Sequence, residues 1–340
     1  MENVDARTGL SSDREQAGLR DYIRIARFDH MTKHVFIVPG VILALLLRPE
    51  SAAGAATSLF WANLLIGFVS AIFVASANYV INEWLDRDFD RFHPEKSQRA
   101  AVQREMSPLI VIAEYLLFLA LGLALAAQVN STFFFAALLL AISGITYNVN
   151  PIRTKDRMYV DVLSESLNNP IRLLMGWAIV DASSLPPASL FLAFWFGGAF
   201  LMNSKRLAEY RDIVASDGVE ILGRYRRSFR YYTESRLSVA NMVYALSCAF
   251  FMAIFLIKYR IEYVILFPCI VALFAVYYTL ALTPDSVARK PERLYSSTPV
   301  IATSAVTLAV FLLATFLSIP QLEELTSQKF IALPFAEAAE

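Results

Sequence analysis

The chain has 340 residues, of which 57% are hydrophobic and 13% aromatic, and its formal net charge is zero. Soluble domains are about 45–50% apolar, so this composition argues against an ordinary soluble enzyme. The apolar residues form blocks of about twenty, the length at which a helix crosses a bilayer. The sequence therefore predicts an all-α, polytopic membrane protein that is surrounded by membrane lipid and binds no nucleic acid.

The apolar blocks predict nine transmembrane helices. Residues 19–30 precede them and mix apolar positions with arginine, as an interfacial helix does. Cys248 and Cys269 lie inside apolar blocks, which indicates packing rather than a disulfide or metal framework. The predicted spans are 32–48, 58–82, 108–128, 131–148, 160–180, 188–204, 238–257, 262–282 and 299–318.

The distribution of Lys and Arg predicts the orientation of these spans. With the N-terminus and Lys33 placed in the cytoplasm, 25 Lys and Arg residues fall on the cytoplasmic side and 4 on the other, while Arg172 lies within a span. Cytoplasmic loops of membrane proteins carry this excess of positive charge. We therefore expect an integral, multi-pass membrane protein with a cytoplasmic N-terminus, located in a bacterial inner membrane.

The first polar cluster follows the second predicted span, in "NEWLDRDFDRFHPEKSQR" (82–99). Asn82, Asp86 and Asp90 are four residues apart, so on a helix they fall within about 80° of arc, with Glu83 beside them. Carboxylate and amide oxygens suit Mg²⁺, which is usually shared with substrate phosphates. The spacing therefore indicates a metal site for a phosphate or diphosphate substrate.

The same stripe has a second interpretation. It could be a solvated helix end whose acids pair with Arg87 and Arg91. Carboxylates placed where a span meets water tend to be functional, which favours the metal site. Lys96 and Arg99 follow and could neutralise the remaining phosphate charge.

The second polar cluster lies within predicted span five, "YVDVLSESLNNPIRLLMG". Asp161, Glu165, Asn168 and Arg172 fall within about 60° on a helix, which indicates that this face lines a cavity or the protein interior. Pro170 predicts a kink. Alternatively, Arg172 pairs with Glu165 or Asp161 and only holds helices together.

Two more polar groups reach the same predicted cytoplasmic face. The loop "TYNVNPIRTKDRMY" contributes Tyr147, Arg153 and Lys155, and the end of span six, "FLMNSKRLAEYRD", contributes Lys205 and Arg206. Each group alone could consist of basic anchors whose charged ends reach the membrane surface. Their convergence on one face indicates a site.

These motifs resemble the UbiA superfamily of intramembrane prenyltransferases. The segment "NEWLDRDFD" resembles the family motif Asn-Asp-x-x-Asp-x-x-x-Asp, with Glu83 in place of the first Asp, and "YNVNPIRTKDRMYVDVLSESLNNPIRLLMG" resembles the following loop and span. The likeness covers residues 19–318. We expect this range to be the transferase domain, between a polar N-terminal tail (1–18) and a C-terminal tail (319–340).

The resemblance implies a nine-helix bundle around a laterally open cavity. It also implies Mg²⁺ as cofactor, a polyprenyl lipid substrate, and a phosphate- or diphosphate-bearing co-substrate at the cytoplasmic mouth. Asn82, Glu83, Asp86 and Asp90 would hold the metal. Asp86 and Asp90, with Asp161 and Lys205, are the candidate catalytic residues. The candidate phosphate-binding residues are Lys96, Arg99, Tyr147, Arg153, Lys155, Arg172, Lys205 and Arg206.

One departure leaves two reactions open. Typical family members have a second aspartate-rich motif at the end of span six, where this chain has "SKRLAEYRD". Lys205 and Arg206 there, and "RRSFRYYTESRL" further on, resemble the branch that transfers phosphoribose from phosphoribosyl diphosphate to a polyprenyl phosphate. The segment "NPIRTKD" instead resembles general prenyltransferases.

Two other classes of protein fit the topology. A transporter or flippase could use the intramembrane Asp161, Glu165 and Arg172, although the sequence shows no inverted repeat of paired broken helices. A membrane scaffold would explain the spans but not the polar clusters. We therefore favour a Mg²⁺-dependent transferase.

Overall fold

The computed structural model describes residues 15–92, 96–283 and 297–326. In these ranges the regular secondary structure is helical, apart from one isolated bridge between Gln16 and Glu105, and turns and loops join the helices. Short 3-10 segments join several helices, and Phe28–Phe36 is the longest of them.

The described helices are α1 (Leu19–Ile25), α2 (Ile37–Leu47), α3 (Pro49–Ala52), α4 (Ser58–Asp90), α5 (Ala100–Gln103), α6 (Pro108–Val129), α7 (Ser131–Asn148), α8 (Val160–Ser166), α9 (Asn168–Val180), α10 (Ala188–Asp217), α11 (Leu222–Tyr225), α12 (Glu234–Tyr259), α13 (Phe267–Leu282), α14 (Thr298–Phe316) and α15 (Pro320–Thr326).

Helices occupy all nine predicted ranges, but not all of them are long and apolar enough to cross a membrane. Six described helices meet that requirement, or seven if the bent pair Leu19–Met31 and Lys33–Leu47 forms one span. Predicted span five is divided between α8 and α9, and α10 carries buried polar residues. The all-helical membrane architecture is confirmed, whereas the number nine is not.

The division of span five falls next to Pro170. The α8 helix ends at Ser166 and α9 begins at Asn168, so the break lies at Leu167. Because proline has no N–H, Pro170 cannot donate to the Ser166 carbonyl four residues earlier. This agrees with the predicted kink.

Close contact between α2 and α9 depends on two glycines. A Cβ atom on Gly40 would lie 2.1 Å from the Leu173 carbonyl oxygen, and one on Gly176 would lie 2.0 Å from that of Ile37. Small residues allow such backbone approach between membrane helices. This contact fixes the position of the Phe28–Phe36 segment, which leads directly into α2 and packs against α9.

The apolar residues divide between a core and a lipid-facing surface. The α4 helix packs against α6 and α7, and α10 packs against α12. Phe133, Leu140 and Met175 belong to a buried core between α2, α4, α7 and α9. Large apolar residues such as Leu246 and Phe316 are exposed, as expected for helices that face lipid.

We expect Gly176→Ala to destabilise the protein, because its new methyl group would collide with the Ile37 carbonyl. Overpacking of this kind costs about 1–3 kcal/mol. Thermal unfolding in detergent measures the effect. Gly54→Ala is the matched control, since a Cβ there meets nothing within 4 Å. Equal unfolding temperatures for the two variants would contradict the proposed role of the α2–α9 contact.

Candidate active site

The predicted acidic stripe lies at the end of α4. That helix continues to Asp90, so Asn82, Asp86 and Asp90 lie on successive turns. Glu83 and Asp90 are 3% and 5% exposed, and the side chain of Asp86 is 18% exposed. These acids are therefore largely withdrawn from water, which does not fit a solvated helix end.

The partners of Asp86 come from a distant loop. Its Oδ1 accepts a hydrogen bond from Arg153 Nη2 (2.8 Å) and lies 2.6 Å from Lys155 Nζ. Both basic residues follow α7. Among the described ion pairs, neither Arg87 nor Arg91 is a partner of Asp86, so the pairing is tertiary rather than local.

Asn148 holds this part of the site together. Its Oδ1 accepts hydrogen bonds from Lys155 Nζ (2.7 Å) and Asn82 Nδ2 (2.5 Å), and its backbone carbonyl accepts one from Arg153 Nη1 (2.8 Å). Asn82 Nδ2 also donates to Asp86 Oδ2 (3.3 Å). The "YNVN" stretch does not by itself indicate a role for Asn148, because that role depends on how the loop folds.

Two half-buried cations, Lys96 and Arg99, lie near the other end of the stripe. Arg99 Nη1 lies 2.5 Å from Asp90 Oδ2, and Lys96 Nζ lies 5.6 Å from the centre of the Tyr225 ring. Burial lowers the pKa of Lys96 to about 7 and that of Lys155 to about 8, because water no longer solvates either ammonium group. A phosphate placed beside them would favour their charged forms.

Segments remote in sequence close over the end of α4. The Phe89 ring lies 5.8 Å from the guanidinium carbon of Arg153 and 5.0 Å from that of Arg227. Asp156 Oδ2 accepts hydrogen bonds from Arg153 Nε (3.0 Å) and Arg227 Nη1 (3.2 Å). The loop after α7 and the segment before α12 therefore meet above the acidic stripe.

The second polar cluster is centred on Arg206, which is 1% exposed. Its Nη2 lies 2.6 Å from Glu165 Oε2, its Nη1 3.3 Å from Glu209 Oε2, and its Nε 3.5 Å from Asp161 Oδ2. Asp161 and Glu165, the predicted partners of Arg172, therefore pair with Arg206 instead. Within the described part of the chain, Arg172 has no ion pair with either Asp161 or Glu165.

Asp161 has polar partners at both carboxylate oxygens and is 0% exposed. Tyr232 donates to Oδ1 (2.6 Å), Ser228 donates to Oδ2 (3.1 Å), and Arg226 Nη1 lies 3.6 Å from Oδ2. Burial and this carboxylate raise the pKa of Tyr232, which keeps its hydroxyl a donor. These contacts give Asp161 a positioning role, and its predicted catalytic role stays a prediction.

Tyr147 connects the two clusters. Its hydroxyl donates to Glu165 Oε2 (3.0 Å) and accepts from Arg226 Nη1 (3.5 Å). The Lys155 ammonium lies 5.7 Å from the centre of its ring. The acid–base groups around Asp86 and Arg206 therefore form one continuous polar region.

Two predicted site residues lie outside these ion pairs. Arg172 is 6% exposed, and its Nη1 donates to the Asn168 carbonyl (3.3 Å). Lys205 is half-buried on α10 and has no carboxylate within salt-bridge distance among the residues that the structure describes. Sequence reasoning did not identify the roles of Asn148, Arg226, Arg27, Lys33 and Tyr79, which the fold places at this face.

Strained backbone marks the same face. Arg27, Arg153 and Tyr159 have φ values of 51°, 27° and 66°. Non-glycine residues with positive φ cost about 1–3 kcal/mol each and concentrate at functional sites. At Arg153, the side chain's own hydrogen bonds to Asp86, Asn148 and Asp156 hold the backbone in place.

The oxygen donors of the stripe fit a Mg²⁺ ion that substrate phosphates help to bind. In residues 15–92, 96–283 and 297–326, no three Asp, Glu, His or Cys side chains converge on one metal position. Mg²⁺ usually takes one or two carboxylates and completes its octahedron with water and phosphate. Asn82 Oδ1 accepts no hydrogen bond from the described residues, which leaves it available beside the carboxylate of Asp86.

Comparison with known proteins identifies the family. Residues 40–297, more than half of the chain, match the family model of the UbiA prenyltransferase family. The chain belongs to this family of membrane transferases. The resemblance found in the motifs is therefore confirmed, and so is the prediction that the protein is a transferase.

Similar proteins are known from bacteria and archaea. Nodulation protein NoeC of Azorhizobium caulinodans is 31% identical over 182 residues, which are 53% of this chain and 57% of that protein. The match thus spans little more than half the length of that curated relative.

Two structures of a UbiA homolog from Archaeoglobus fulgidus share the fold. One is bound to DMAPP and Mg²⁺ (TM-score 0.65) and the other to GPP and Mg²⁺ (TM-score 0.64). Each is 22% identical to this chain and covers 87% of it and 100% of its own chain. At this level of identity the likeness establishes the fold alone.

We expect Arg206→Gln to destabilise the folded protein with or without substrate. The substitution would leave Asp161, Glu165 and Glu209 without their shared cation, and breaking a buried ion pair costs about 3–5 kcal/mol. Lys205→Gln is the matched control, because the neighbouring lysine has no such pairs. Thermal unfolding in detergent distinguishes them, and a normal unfolding temperature for Arg206→Gln would contradict the structural role.

Proposed function

We propose that the chain is a Mg²⁺-dependent intramembrane transferase that acts on a polyprenyl phosphate or diphosphate at the cytoplasmic face. The pairing of Asp86 with Arg153 (2.8 Å) and Lys155 (2.6 Å) is the observation that supports this most strongly. A helix end and a distant loop together place oxygen donors and cations side by side. A metal-bound diphosphate requires both kinds of group.

The acids of α4 would hold the metal. Asn82, Asp86 and Asp90 supply oxygen donors on one helix, and Glu83 lies beside them. When bound, Mg²⁺ would neutralise part of the negative charge that develops on the leaving phosphate. Mg²⁺ in the Archaeoglobus fulgidus structures supports this choice of ion.

The surrounding cations would bind the phosphate oxygens. Lys96, Arg99, Arg153 and Lys155 border the acids and can each make charge-assisted hydrogen bonds. Because Lys155 is buried and Lys96 half-buried, an additional anion would interact with both lysines strongly. Phe89, covered by Arg153 and Arg227, helps to keep water from a reactive donor.

The topology belongs to the same proposal. Residues 19–318 would form one nine-span domain around a laterally open cavity, with the N-terminus in the cytoplasm of a bacterial cell. Helices at all nine predicted ranges support the count. The gathering of the segments around Asp86, Arg153 and Arg227 at one end of the bundle supports a single catalytic face.

Phosphoribosyl transfer to a polyprenyl phosphate is the second candidate reaction. Asp161, Glu165 and Glu209 already pair with Arg206, so these acids are less available to a second metal ion. One acidic stripe bordered by cations suits a donor with several phosphates. Lys205, which has no carboxylate within salt-bridge distance among the described residues, would then help to bind the co-substrate.

We expect Asp86→Asn to lower the transfer rate by about 10²-fold or more, the size typical of losing one electrostatic stabiliser. Chelation of divalent metal should abolish transfer in the wild type. The matched control is Asp88→Asn, because that carboxylate lies on the same helix end but is 63% exposed and pairs with Arg91. Full transfer activity of Asp86→Asn would contradict the proposed role of Asp86 in a metal-dependent mechanism.

We expect the purified protein to show Mg²⁺-dependent transfer from one of two labelled donors, either phosphoribosyl diphosphate or an allylic diphosphate. Lipid-linked product from phosphoribosyl diphosphate and polyprenyl phosphate would support phosphoribosyl transfer. Turnover of an allylic diphosphate alone would support prenyl transfer and contradict the second candidate. Turnover of neither donor would contradict the proposed function.

A further inference from the structure

Basic side chains collect around Tyr79, a residue of α4 that lies one turn before Asn82. The guanidinium carbon of Arg27 and the ammonium of Lys33 lie 6.0 and 5.5 Å from the centre of the Tyr79 ring. The His30 ring stands edge-on to the same tyrosine at 5.4 Å. These residues come from the segment before α2, so that segment and α4 enclose one surface.

Arg172 lies on α9, which packs against both α4 and the segment before α2. It is 6% exposed, its Nε has no hydrogen-bond partner, and no described carboxylate lies within salt-bridge distance of its guanidinium. His34 is 4% exposed, and its Nδ1 also has no hydrogen-bond partner. We call Lys33, His34, Tyr79 and Arg172 the Tyr79 basin.

A buried, unpaired guanidinium is unfavourable unless an anion neutralises it. The other buried guanidinium of this region, that of Arg206, has three carboxylates within salt-bridge distance. Arg172 has no equivalent among the described residues. The missing negative charge is therefore expected from a ligand.

The chemistry of the basin indicates which anion binds. Asp29 pairs with His30 at the edge of this region, whereas none of the described ion pairs joins a carboxylate to Lys33 or Arg172. A magnesium ion requires carboxylate ligands. A phosphate monoester carries up to two negative charges and accepts several charge-assisted hydrogen bonds, which matches Lys33, Tyr79 and Arg172. Ile37 and Ile171, each adjacent in sequence to a residue of this region, belong to the buried apolar core. A hydrocarbon chain attached to the phosphate would lie along that core.

We propose that Lys33, Tyr79 and Arg172 bind a phosphate monoester directly, without metal, at a site separate from the acidic stripe. This inference rests on the proposed function for the role of that ligand, which would be the head group of the polyprenyl substrate. The enzyme would then use two phosphate sites, one that shares Mg²⁺ and one that consists of cations alone.

Ligand binding to the full-length protein in detergent, with EDTA present, tests this site. The probes are farnesyl phosphate, ribose 5-phosphate and farnesol. Binding of each probe is measured as the shift that it causes in the thermal unfolding temperature. We expect farnesyl phosphate to bind and farnesol to bind at least about tenfold more weakly, because it lacks the charge. Arg172→Gln and Lys33→Gln should each weaken farnesyl phosphate binding about tenfold or more.

Two controls separate this site from the transferase reaction. Arg24→Gln, an exposed arginine in the same N-terminal region, should bind farnesyl phosphate as the wild type does. Asp86→Asn should also keep metal-free binding while it loses transfer. Binding in a protein that transfers nothing would support the site and contradict only the proposed function.

Other outcomes would overturn the proposal. Equal affinity for farnesol and farnesyl phosphate would contradict a phosphate site, as would unchanged affinity in Arg172→Gln. Binding of ribose 5-phosphate alone would support the cation site but overturn its assignment to the lipid. If Arg172→Gln fails to fold, the half-buried Lys33→Gln and the charge-preserving Arg172→Lys decide the question, and unchanged affinity in Lys33→Gln contradicts the site.

Discussion

A charge inside a membrane protein must be neutralised where it lies, and the Arg206 cluster meets this requirement for most of the site. Its guanidinium joins Asp161 and Glu165 of α8 to Glu209 of α10. Asp161 in turn fixes the segment before α12 through Ser228. One ion cluster therefore holds α8, α10 and the segment before α12 together. The end of α7 joins the same cluster through the hydrogen bond from Tyr147 to Glu165.

Helix packing and electrostatics depend on each other at the opposite side of the site. Gly40 and Gly176 allow α2 and α9 to approach, and this approach brings the segment before α2 against α9, the helix that carries Arg172. The bundle therefore encloses a guanidinium, that of Arg172, with no carboxylate within salt-bridge distance among the described residues. The Arg206 guanidinium, in contrast, has three carboxylate partners. We therefore expect an anionic ligand at Arg172 rather than at Arg206.

The sequence was sufficient for features that repeat locally. Twenty-residue apolar blocks predicted the helices, and the four-residue spacing of Asn82, Asp86 and Asp90 predicted a stripe that α4 does present. Pairing between distant segments could not be predicted, because hydrogen bonding to Asn148 depends on how the loop after α7 folds. For the same reason the acids assigned to Arg172 pair with Arg206. The number of spans stays open, because polar residues that build the site also lower the apolarity of the helices that carry them.

The position of Tyr147 has a thermodynamic consequence. Its hydroxyl bonds Glu165 while its ring contacts Lys155, so the groups around Asp86 and Arg206 share one side chain. Residues linked in this way do not contribute independently to a free energy, and their double mutants deviate from additivity by about 0.5–3 kcal/mol. A ligand that changes the charge beside Lys155 therefore also changes the stability of the helix contacts around Glu165. By thermodynamic reciprocity, a change in the stability of those helix contacts also changes the affinity for the ligand.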